Sequence, residues 1–234
     1  RGEYTAAINV TATDAAGNVN SASSTLHVDT QGTVTIDPGR GAAGESVFNS
    51  VNEASTLHLT GTTEPGSSVT VEIQGASYVA SVGASGAWSV VVPGTGVTSG
   101  EYTTRMTVTA IDAAGNRTTT TGTLLVDTEN SVSVMNGFGG ADGVISGSEA
   151  SGGVTFNGTG EPGASVSVMF QGRTHDATVS PSGVWSATFT GSEVPTGVYQ
   201  APLTVVSTDL AGNTATATKL VSVDTATSVS ATII

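Results

Sequence analysis

Acidic residues that recur at fixed places are the side chains of this sequence whose types and spacing could do chemistry. A motif that reads TATDAAGN, TAIDAAGN and STDLAGN carries one aspartate in each copy: Asp14, Asp112 and Asp209. Fifteen residues later, each copy has a VDT triplet with a second aspartate: Asp29, Asp127 and Asp224. The copies lie 98 and 97 residues apart, so the chain is a tandem array that offers carboxylates at the same places each time.

The charge balance indicates what these carboxylates could bind. Only 11% of the 234 residues are charged, against roughly 25% in an ordinary globular protein, yet Asp and Glu outnumber Lys and Arg by 19 to 6. The net charge of −13 argues against nucleic acid and an anionic membrane surface as partners, because both bind clustered Lys and Arg. There is no cysteine, and the three histidines stand in unrelated contexts, so a cation bound by oxygen atoms is favoured over zinc.

The sequence has no arrangement that would support catalysis. No histidine recurs beside a carboxylate, there is no GxSxG nucleophile elbow, and the glycine-rich stretch GGVTFNGTGEPG lacks the context of a phosphate-binding loop. No apolar run approaches the ~18 residues that a membrane helix needs. The sequence therefore predicts that the chain is not an enzyme and that it does not insert into a membrane.

Alternation of apolar and polar residues predicts β-strands throughout the chain and no helix. A complete repeat begins with the strand TVTID and a long loop to about Glu53, and holds about seven short strands with turns such as TEPG, GASG and DAAGN, the pattern of an immunoglobulin-like sandwich. One strand face is predicted to be buried in every copy: Ile8, Val10 and Ala12; Met106, Val108 and Ala110; Leu203, Val205 and Ser207.

We therefore predict an all-β chain of tandem immunoglobulin-like β-sandwich domains arranged as an extended rod. Residues 1–30 are the C-terminal part of a truncated domain, residues 31–128 and 129–225 are two complete domains, and residues 226–234 are the first strand of a following domain. Trp88 and Trp185 lie between alternating apolar residues and are predicted to pack in the cores. Tyr4, Tyr102 and Tyr199 are predicted to form the tyrosine corner of such sandwiches.

The expected fold brings acids from distant parts of the sequence together. In a seven-stranded sandwich, the last hairpin's turn, the turn between the second and third strands and the start of the first strand lie at one end, whereas the last strand finishes at the other. The exit of one domain therefore meets the entrance of the next, which gathers two sets: Asp29, Glu64 and Asp112; Asp127, Glu161 and Asp209. Three carboxylates without a nearby basic residue repel one another, whereas Ca²⁺ binds 6 to 8 oxygens, so calcium is the predicted cofactor.

The same residues also have simpler interpretations, which the sequence leaves open. The aspartate of DAAGN could only cap its own turn, the aspartate of VDT could be a solvated linker residue, and the glutamate of TEPG could be an exposed turn residue. Register favours the metal interpretation, because acids at these positions recur in successive copies. Asp14 and Asp224 occupy equivalent positions and are predicted ligands for the same reason.

A second acidic group is predicted at the exit end of the domains. It lies in the long first loop of each repeat, together with the corner before the sixth strand. Its candidate ligands are Glu45, Glu53, Glu101, Asp142 and Glu149. Val198 replaces the acid of that corner in the third copy, which weakens the prediction for its domain.

Three motifs in a fixed order resemble a known family. The stretches TGTTEPGSSVTVEI, GASGAWSV and TAIDAAGNRTTTTGTLLVDT, repeated every 97 or so residues, are similar to the bacterial Ig-like repeats of very large nonfimbrial adhesins, especially the Salmonella type. The resemblance implies a secreted, type I-exported protein of the bacterial cell surface with a part in virulence. It also implies calcium-binding repeats in a monomeric stalk, with host-cell glycans bound through the parent protein.

Two functions fit these observations. In the first, calcium at the domain junctions stiffens a spacer that holds an adhesive region away from the cell. In the second, the domains themselves bind host or matrix glycans. Repetition of the same surface favours the spacer, because a dedicated glycan site would need a feature unique to one domain.

Overall fold

The computed structural model describes residues 2–39, 46–54 and 56–227. Nearly all of its regular structure is strand. The strands are β1 (Glu3–Thr13), β2 (Val19–Asp29), β3 (Ser46–Phe48), β4 (Thr56–Thr62), β5 (Ser68–Ile73), β6 (Ala76–Val79), β7 (Ser81–Val82), β8 (Ala87–Pro93), β9 (Glu101–Ile111), β10 (Arg117–Asp127), β11 (Val144–Ser146), β12 (Val154–Thr159), β13 (Ser165–Phe170), β14 (Arg173–Thr178), β15 (Val184–Phe189), β16 (Val198–Thr208) and β17 (Thr214–Asp224). Two short helices, α1 (Ser50–Ala54) and α2 (Gly147–Gly152), and three single 3₁₀ turns complete it. The chain divides into two compact units, Arg1–Val126 and Asp127–Ile234.

The first unit opens with the antiparallel hairpin β1–β2, paired from Glu3↔Asp29 to Thr13↔Val19. Its apolar face is exposed, with Ile8 at 44% and Val10 at 59% of their full accessibility. The prediction that this face is buried in every copy is therefore wrong for the first copy. The equivalent faces of β9 and β16 are buried because a second sheet packs against them.

The remainder of the first unit is a sandwich of two sheets. One sheet has the order β3-β10-β9-β5-β6 and the other the order β4-β8-β7. Alternate residues of β5 and β8 point inward, as the sequence pattern predicts. The predicted first strand TVTID runs beside β4 through the bridge Val34↔Thr63 and the Asp37 N–H, which donates to the Thr60 carbonyl at 2.9 Å. Further along, β3 pairs in parallel with β10, so the chain has crossed to the other sheet within the predicted loop.

The second unit repeats this architecture. Its sheets are ordered β11-β17-β16-β13-β14 and β12-β15, and the bridge Val132↔Gly160 corresponds to the first-strand bridge of the first unit. The core is richer in aromatic rings, because Phe156 lies 5.1 to 5.5 Å from three other phenylalanine rings. The predicted all-β, immunoglobulin-like sandwich fold is confirmed. The predicted domain boundaries stay predictions, and residues 228–234 of the last one lie outside the described residues.

The prediction of no helix is wrong in both complete repeats. Helix α2 begins with a capping box, in which the Ser146 hydroxyl accepts from the Glu149 N–H and the Glu149 carboxylate accepts from the Ser146 N–H at 2.8 Å. The spacing Ser-x-x-Glu is a known helix-start signature. A six-residue helix carries too little apolar periodicity to stand out from the surrounding strands.

The predicted core packing of both tryptophans is confirmed, and so is the tyrosine corner of the two complete repeats. Tyr4, the corner predicted for the first copy, is 56% exposed and makes no such contact among the described residues, because its hairpin has no second sheet packed against it. Both indoles are fully buried, and the Trp88 Nε1–H donates to the Thr35 carbonyl at 2.9 Å. Glycine faces each indole, and a Cβ on Gly158 would lie 2.6 Å from the Trp185 ring. The Tyr199 hydroxyl donates to the Pro195 carbonyl at 2.8 Å, which is the upstream contact of a tyrosine corner.

One ion pair of the second unit has no counterpart among the described residues of the first. The His175 Nε2 lies 2.9 Å from Glu193 Oε1, and the imidazole packs 4.4 Å from the Phe189 ring. The hydrogen bond from His175, and those from the Thr190 N–H and hydroxyl, lower the pKa of Glu193 from 4.5 to about 2. Tyr78 occupies the histidine's place in the first unit and donates to the Gly96 carbonyl instead.

This pair predicts an acid-sensitive contribution to stability. Because the folded-state pKa of Glu193 is depressed, its contribution is fully present above pH 4.5 and is lost as the pH falls through about 2. We expect Glu193→Gln to flatten the dependence of unfolding free energy on pH in this window, measured by urea unfolding at a series of acidic pH values. The control is Asp176→Asn, an exposed carboxyl next to the histidine, which should follow the wild type. Parallel curves for Glu193→Gln and wild type would contradict the prediction.

Candidate metal centres

Two groups of three carboxylates converge in the structure. Within each group, one oxygen from each residue lies within 4.8 Å of the others: Asp29, Glu64 and Asp112 in the first unit; Asp127, Glu161 and Asp209 in the second. These are the two sets that the sequence analysis assembled from the expected positions of turns and strand ends. No third group of this kind is formed by the residues that the structure describes.

In the first group, three elements each supply one carboxylate. Asp29 is the last residue of β2, Glu64 lies in the turn after β4, and Asp112 follows β9. Asp112 is 8% exposed, and its Oδ1 accepts hydrogen bonds from the backbone N–H of Ala114 at 2.9 Å and of Asn116 at 2.8 Å. Its Oδ2 accepts from the Asn116 side-chain amide at 2.8 Å. The turn thus holds a buried carboxylate in a single orientation.

These contacts also set the charge of Asp112. Burial opposes ionisation, but the hydrogen bonds from the Asn116 side chain and from the backbone N–H groups of the turn outweigh it, so the pKa of Asp112 is lowered. Asp112 therefore makes the hydrogen bonds that the simpler interpretation, a turn cap, predicts. This cap is compatible with metal binding, because the same hydrogen bonds keep the carboxylate anionic and fixed beside two other acids.

The second group has the same elements in the next repeat. Asp127 ends β10, Glu161 lies in the turn after β12, and Asp209 follows β16. Asp209 is 6% exposed, and its Oδ1 accepts from the backbone N–H of Gly212 at 2.7 Å and of Asn213 at 2.8 Å. The Asn213 side-chain amide donates to Asp209 Oδ2 and to Asp127 Oδ1, both at 2.8 Å. An amide therefore joins two of the three carboxylates.

The donor set of each group fits a hard divalent cation. Every candidate ligand is an oxygen, and three carboxylates supply more negative charge than one Ca²⁺ neutralises, which leaves carbonyls and water to complete 6 to 8 contacts. Neither group contains the nitrogen or sulfur ligands that zinc prefers. In the second group, Glu161 Oε2 is a buried oxygen that accepts no hydrogen bond from the described residues, although Glu161 itself makes other interactions.

The other predicted ligands are not gathered in this way. Asp14 repeats the capped turn: the Asn18 side-chain amide donates to its Oδ2 at 2.7 Å and the Asn18 backbone N–H to its Oδ1 at 2.8 Å, and these hydrogen bonds lower its pKa. Asp224 accepts from the Ala226 N–H at 3.2 Å. Neither belongs to a group of three acids among the described residues.

The structure places the members of the predicted second acidic group in different surroundings. Glu149 caps helix α2, Asp142 accepts from the Val144 N–H at 3.1 Å, and Glu101 is exposed at the start of β9. Glu45 lies outside the described residues, and so does the side chain of Glu53. Calcium binding by these five residues stays a prediction.

Comparison with known proteins places the chain in a family. The sequence profile described as bacterial Ig-like domain matches residues 33–128 and 149–225. The chain belongs to the bacterial Ig-like domain family. No curated protein matches it. The more specific resemblance to the Salmonella type stays a prediction.

Solved structures that resemble this bacterial Ig-like chain include parts of large adhesins. One, concerned with the host cell surface retention of a 1.5-MDa bacterial ice-binding adhesin, is 30% identical over 95% of this chain and 75% of its own, with a TM-score of 0.51. A Ca²⁺-stabilized adhesin with which an Antarctic bacterium binds ice is 34% identical over 96% of this chain, with a TM-score of 0.48. The chain spans 58% of that structure. An immunoglobulin-like domain of the M. primoryensis ice-binding adhesin is 33% identical over 42% of this chain and all of its own, with a TM-score of 0.33.

Sequence reasoning missed the asparagines that support the candidate ligands of this bacterial Ig-like chain. Asn116 and Asn213 close the motif that begins with Asp112 and Asp209, and their side chains contact those aspartates. The asparagine that recurs four residues after each of these aspartates was the available signal.

In the described part of the chain, no helix is long and apolar enough to cross a membrane.

Proposed function

We propose that this chain is a stalk region of a large bacterial surface adhesin, in which Ca²⁺ bound by the two carboxylate groups stabilises consecutive Ig-like repeats. The observation that carries the proposal is the convergence of three acids from distant parts of the sequence, one at a strand end, one in a turn and one just after a strand, at equivalent positions in two repeats. Membership of the bacterial Ig-like family and the 30% identity to part of a bacterial adhesin support the adhesin role.

The ion would stabilise each group by offsetting the repulsion among its carboxylates. Three carboxylates with oxygens within 4.8 Å of one another repel, and a divalent cation among them converts the repulsion into attraction to a common centre. Calcium-binding modules outside cells have dissociation constants on the order of 10⁻⁴ to 10⁻³ M, which suits a protein exposed to extracellular calcium. Hydrogen bonds from the DAAGN-type turn hold one ligand of each set in place before the ion binds.

The position of Asp127 in the sequence gives the ion a mechanical role. Asp127 ends the last strand of one repeat, whereas Glu161 and Asp209 belong to the next repeat. An ion bound by all three would restrict the motion of consecutive repeats, which are joined by linkers as short as VDTENSV. Export by type I secretion, a place on the bacterial surface, a monomeric state and attachment to host cells through other parts of the adhesin belong to the same proposal.

Glycan binding by the domains themselves is less well supported. Sugar sites commonly use an exposed aromatic face, and both tryptophans are buried in the sandwich cores. A glycan array probed with the whole chain tests this alternative. Specific binding that survives removal of calcium would favour it over the stalk.

Small-angle X-ray scattering tests the mechanical role. We expect a narrow, extended distance distribution in calcium and a broader one in EDTA, because chelation leaves the carboxylates repelling one another. Circular dichroism should show the same strand content in both conditions. The matched variant is Asp209→Ala, which removes a ligand of the second group only and in calcium should give a distribution between those of the wild type in calcium and in EDTA. Identical distributions with and without calcium would overturn the mechanical role.

A further inference from the structure

We propose that Asn213 is a positioning residue that assembles the group of Asp127, Glu161 and Asp209 before calcium binds, so that this group binds calcium more tightly than the group of Asp29, Glu64 and Asp112. The inference rests on the proposed function and names a difference between the two sites that the repeat pattern does not show.

The side-chain amide of Asn213 lies among four oxygens. Its Nδ2 is 2.8 Å from Asp127 Oδ1, 2.8 Å from Asp209 Oδ2, 2.9 Å from the Asp127 carbonyl and 3.3 Å from the Glu129 carbonyl. An amide has two N–H groups, so these contacts share them among the carboxylates and the linker backbone. The amide thus fastens Asp127 to Asp209.

A second asparagine supports the same arrangement. Asn130 Nδ2 donates to the backbone carbonyl of Asn213 at 2.8 Å and to that of Ser207 at 3.2 Å. The linker segment of residues 127–130 is therefore attached at two points to residues 207–213, which comprise the end of β16 and the turn after it. Asn213 itself is 2% exposed, which protects its hydrogen bonds from water.

The first group lacks this connection. Asn116 Nδ2 donates to Asp112 Oδ2 at 2.8 Å, and no contact from its amide to Asp29 is present among the described residues. Gly32 stands where the second linker has Asn130, and its carbonyl accepts from the Thr118 hydroxyl at 2.7 Å. In the described part of this unit, no side-chain amide joins the carboxylate of Asp29 to that of Asp112.

The group whose ligands are already held in place should bind calcium more tightly. Residues that hold metal ligands in place typically change metal affinity about 10- to 100-fold when they are removed. In the second group, part of the cost of bringing like charges together is already met by the amide, so more of the ion's binding free energy appears as affinity. In the first group, Asp29 already lies beside Asp112, but no side-chain amide joins the two among the described residues, so the ion alone must offset their repulsion.

Calcium titration of single-site chains tests the proposal. In an Asp112→Ala background, which leaves only the second group intact, we expect Asn213→Ala to raise the calcium dissociation constant about 10-fold or more. The matched control is Asn116→Ala in an Asp209→Ala background, for which we expect a smaller rise. Equal changes, or no change in the Asn213→Ala chain, would overturn the role of Asn213.

A measurement on the unmodified chain covers the case in which Asn213→Ala fails to fold. In EDTA, backbone amides of the linker at residues 129–131 should exchange with deuterium more slowly than those at residues 31–33, because the Asn213 side chain holds only the former linker. Equal exchange rates would overturn this clamp, by which Asn213 joins the linker to Asp209. If neither single-site chain binds calcium, the proposed function fails; if both bind with the same affinity, only this inference fails.

Discussion

Replacing Trp185 by alanine is expected to lower the free energy of unfolding by about 3 to 5 kcal/mol, the cost typical of deleting a large aromatic side chain from a packed core. Trp185 is 1% exposed. Its indole Nε1–H donates to the Ser133 carbonyl at 3.1 Å and lies 3.2 Å from the Thr159 carbonyl. The variant would create a cavity and also leave carbonyl groups of the first strand and β12 without this donor.

Urea unfolding followed by circular dichroism measures this loss. The matched control is Val184→Ala, which removes an apolar side chain that is 40% exposed on the same strand and should cost much less. A loss of under about 1 kcal/mol for Trp185→Ala would contradict the assignment of this residue to the core.

The strands and cores were predictable because their signals are local. Alternation along β5, β8, β13 and β15 determines which residues face inward, and tryptophan within such a pattern has few other stable places. The tyrosine corner was predictable from its position before the sixth strand. The exposure of Ile8 and Val10 was not, because the pattern records which face a strand buries within a complete sandwich and not whether a second sheet is present.

The region between the first strand and β4 could not be predicted from local pattern. There the chain leaves one sheet, forms β3 against β10 and then a short helix, and each step covers only a few residues. The contacts that stabilise these elements come from distant parts of the chain. Only the Ser146-x-x-Glu149 capping box offered a local signal.

At the candidate sites, too, some features could be predicted from the sequence and others could not. Convergence of Asp127, Glu161 and Asp209 was predictable because fold topology determines which turns share an end of a sandwich. The clamp by Asn213 was not, since its four oxygen contacts depend on the path of the linker backbone. Glu149 shows the opposite case, in which a residue grouped with metal ligands by register has a helix cap as its observed contact.

Calcium is expected to raise the stability of both repeats, and chelation to remove the gain. At a free calcium concentration ten times the dissociation constant, each site contributes about 1.4 kcal/mol, and two sites contribute about twice that. Magnesium should stabilise much less, because it requires a compact octahedral set of ligands and gives up its water reluctantly. Thermal unfolding in calcium, in magnesium and in EDTA measures the difference, and equal melting temperatures in all three would contradict the expectation.

Isothermal calorimetric titration of the whole chain with calcium tests the central claim most directly, because it counts the ions that the two carboxylate groups hold. Asp112→Ala and Asp209→Ala should each lose one bound ion relative to the wild type, and the double variant should lose two, with the sandwich folds retained by circular dichroism. An unchanged stoichiometry in either single variant, or no calcium binding by the wild-type chain, would contradict the account.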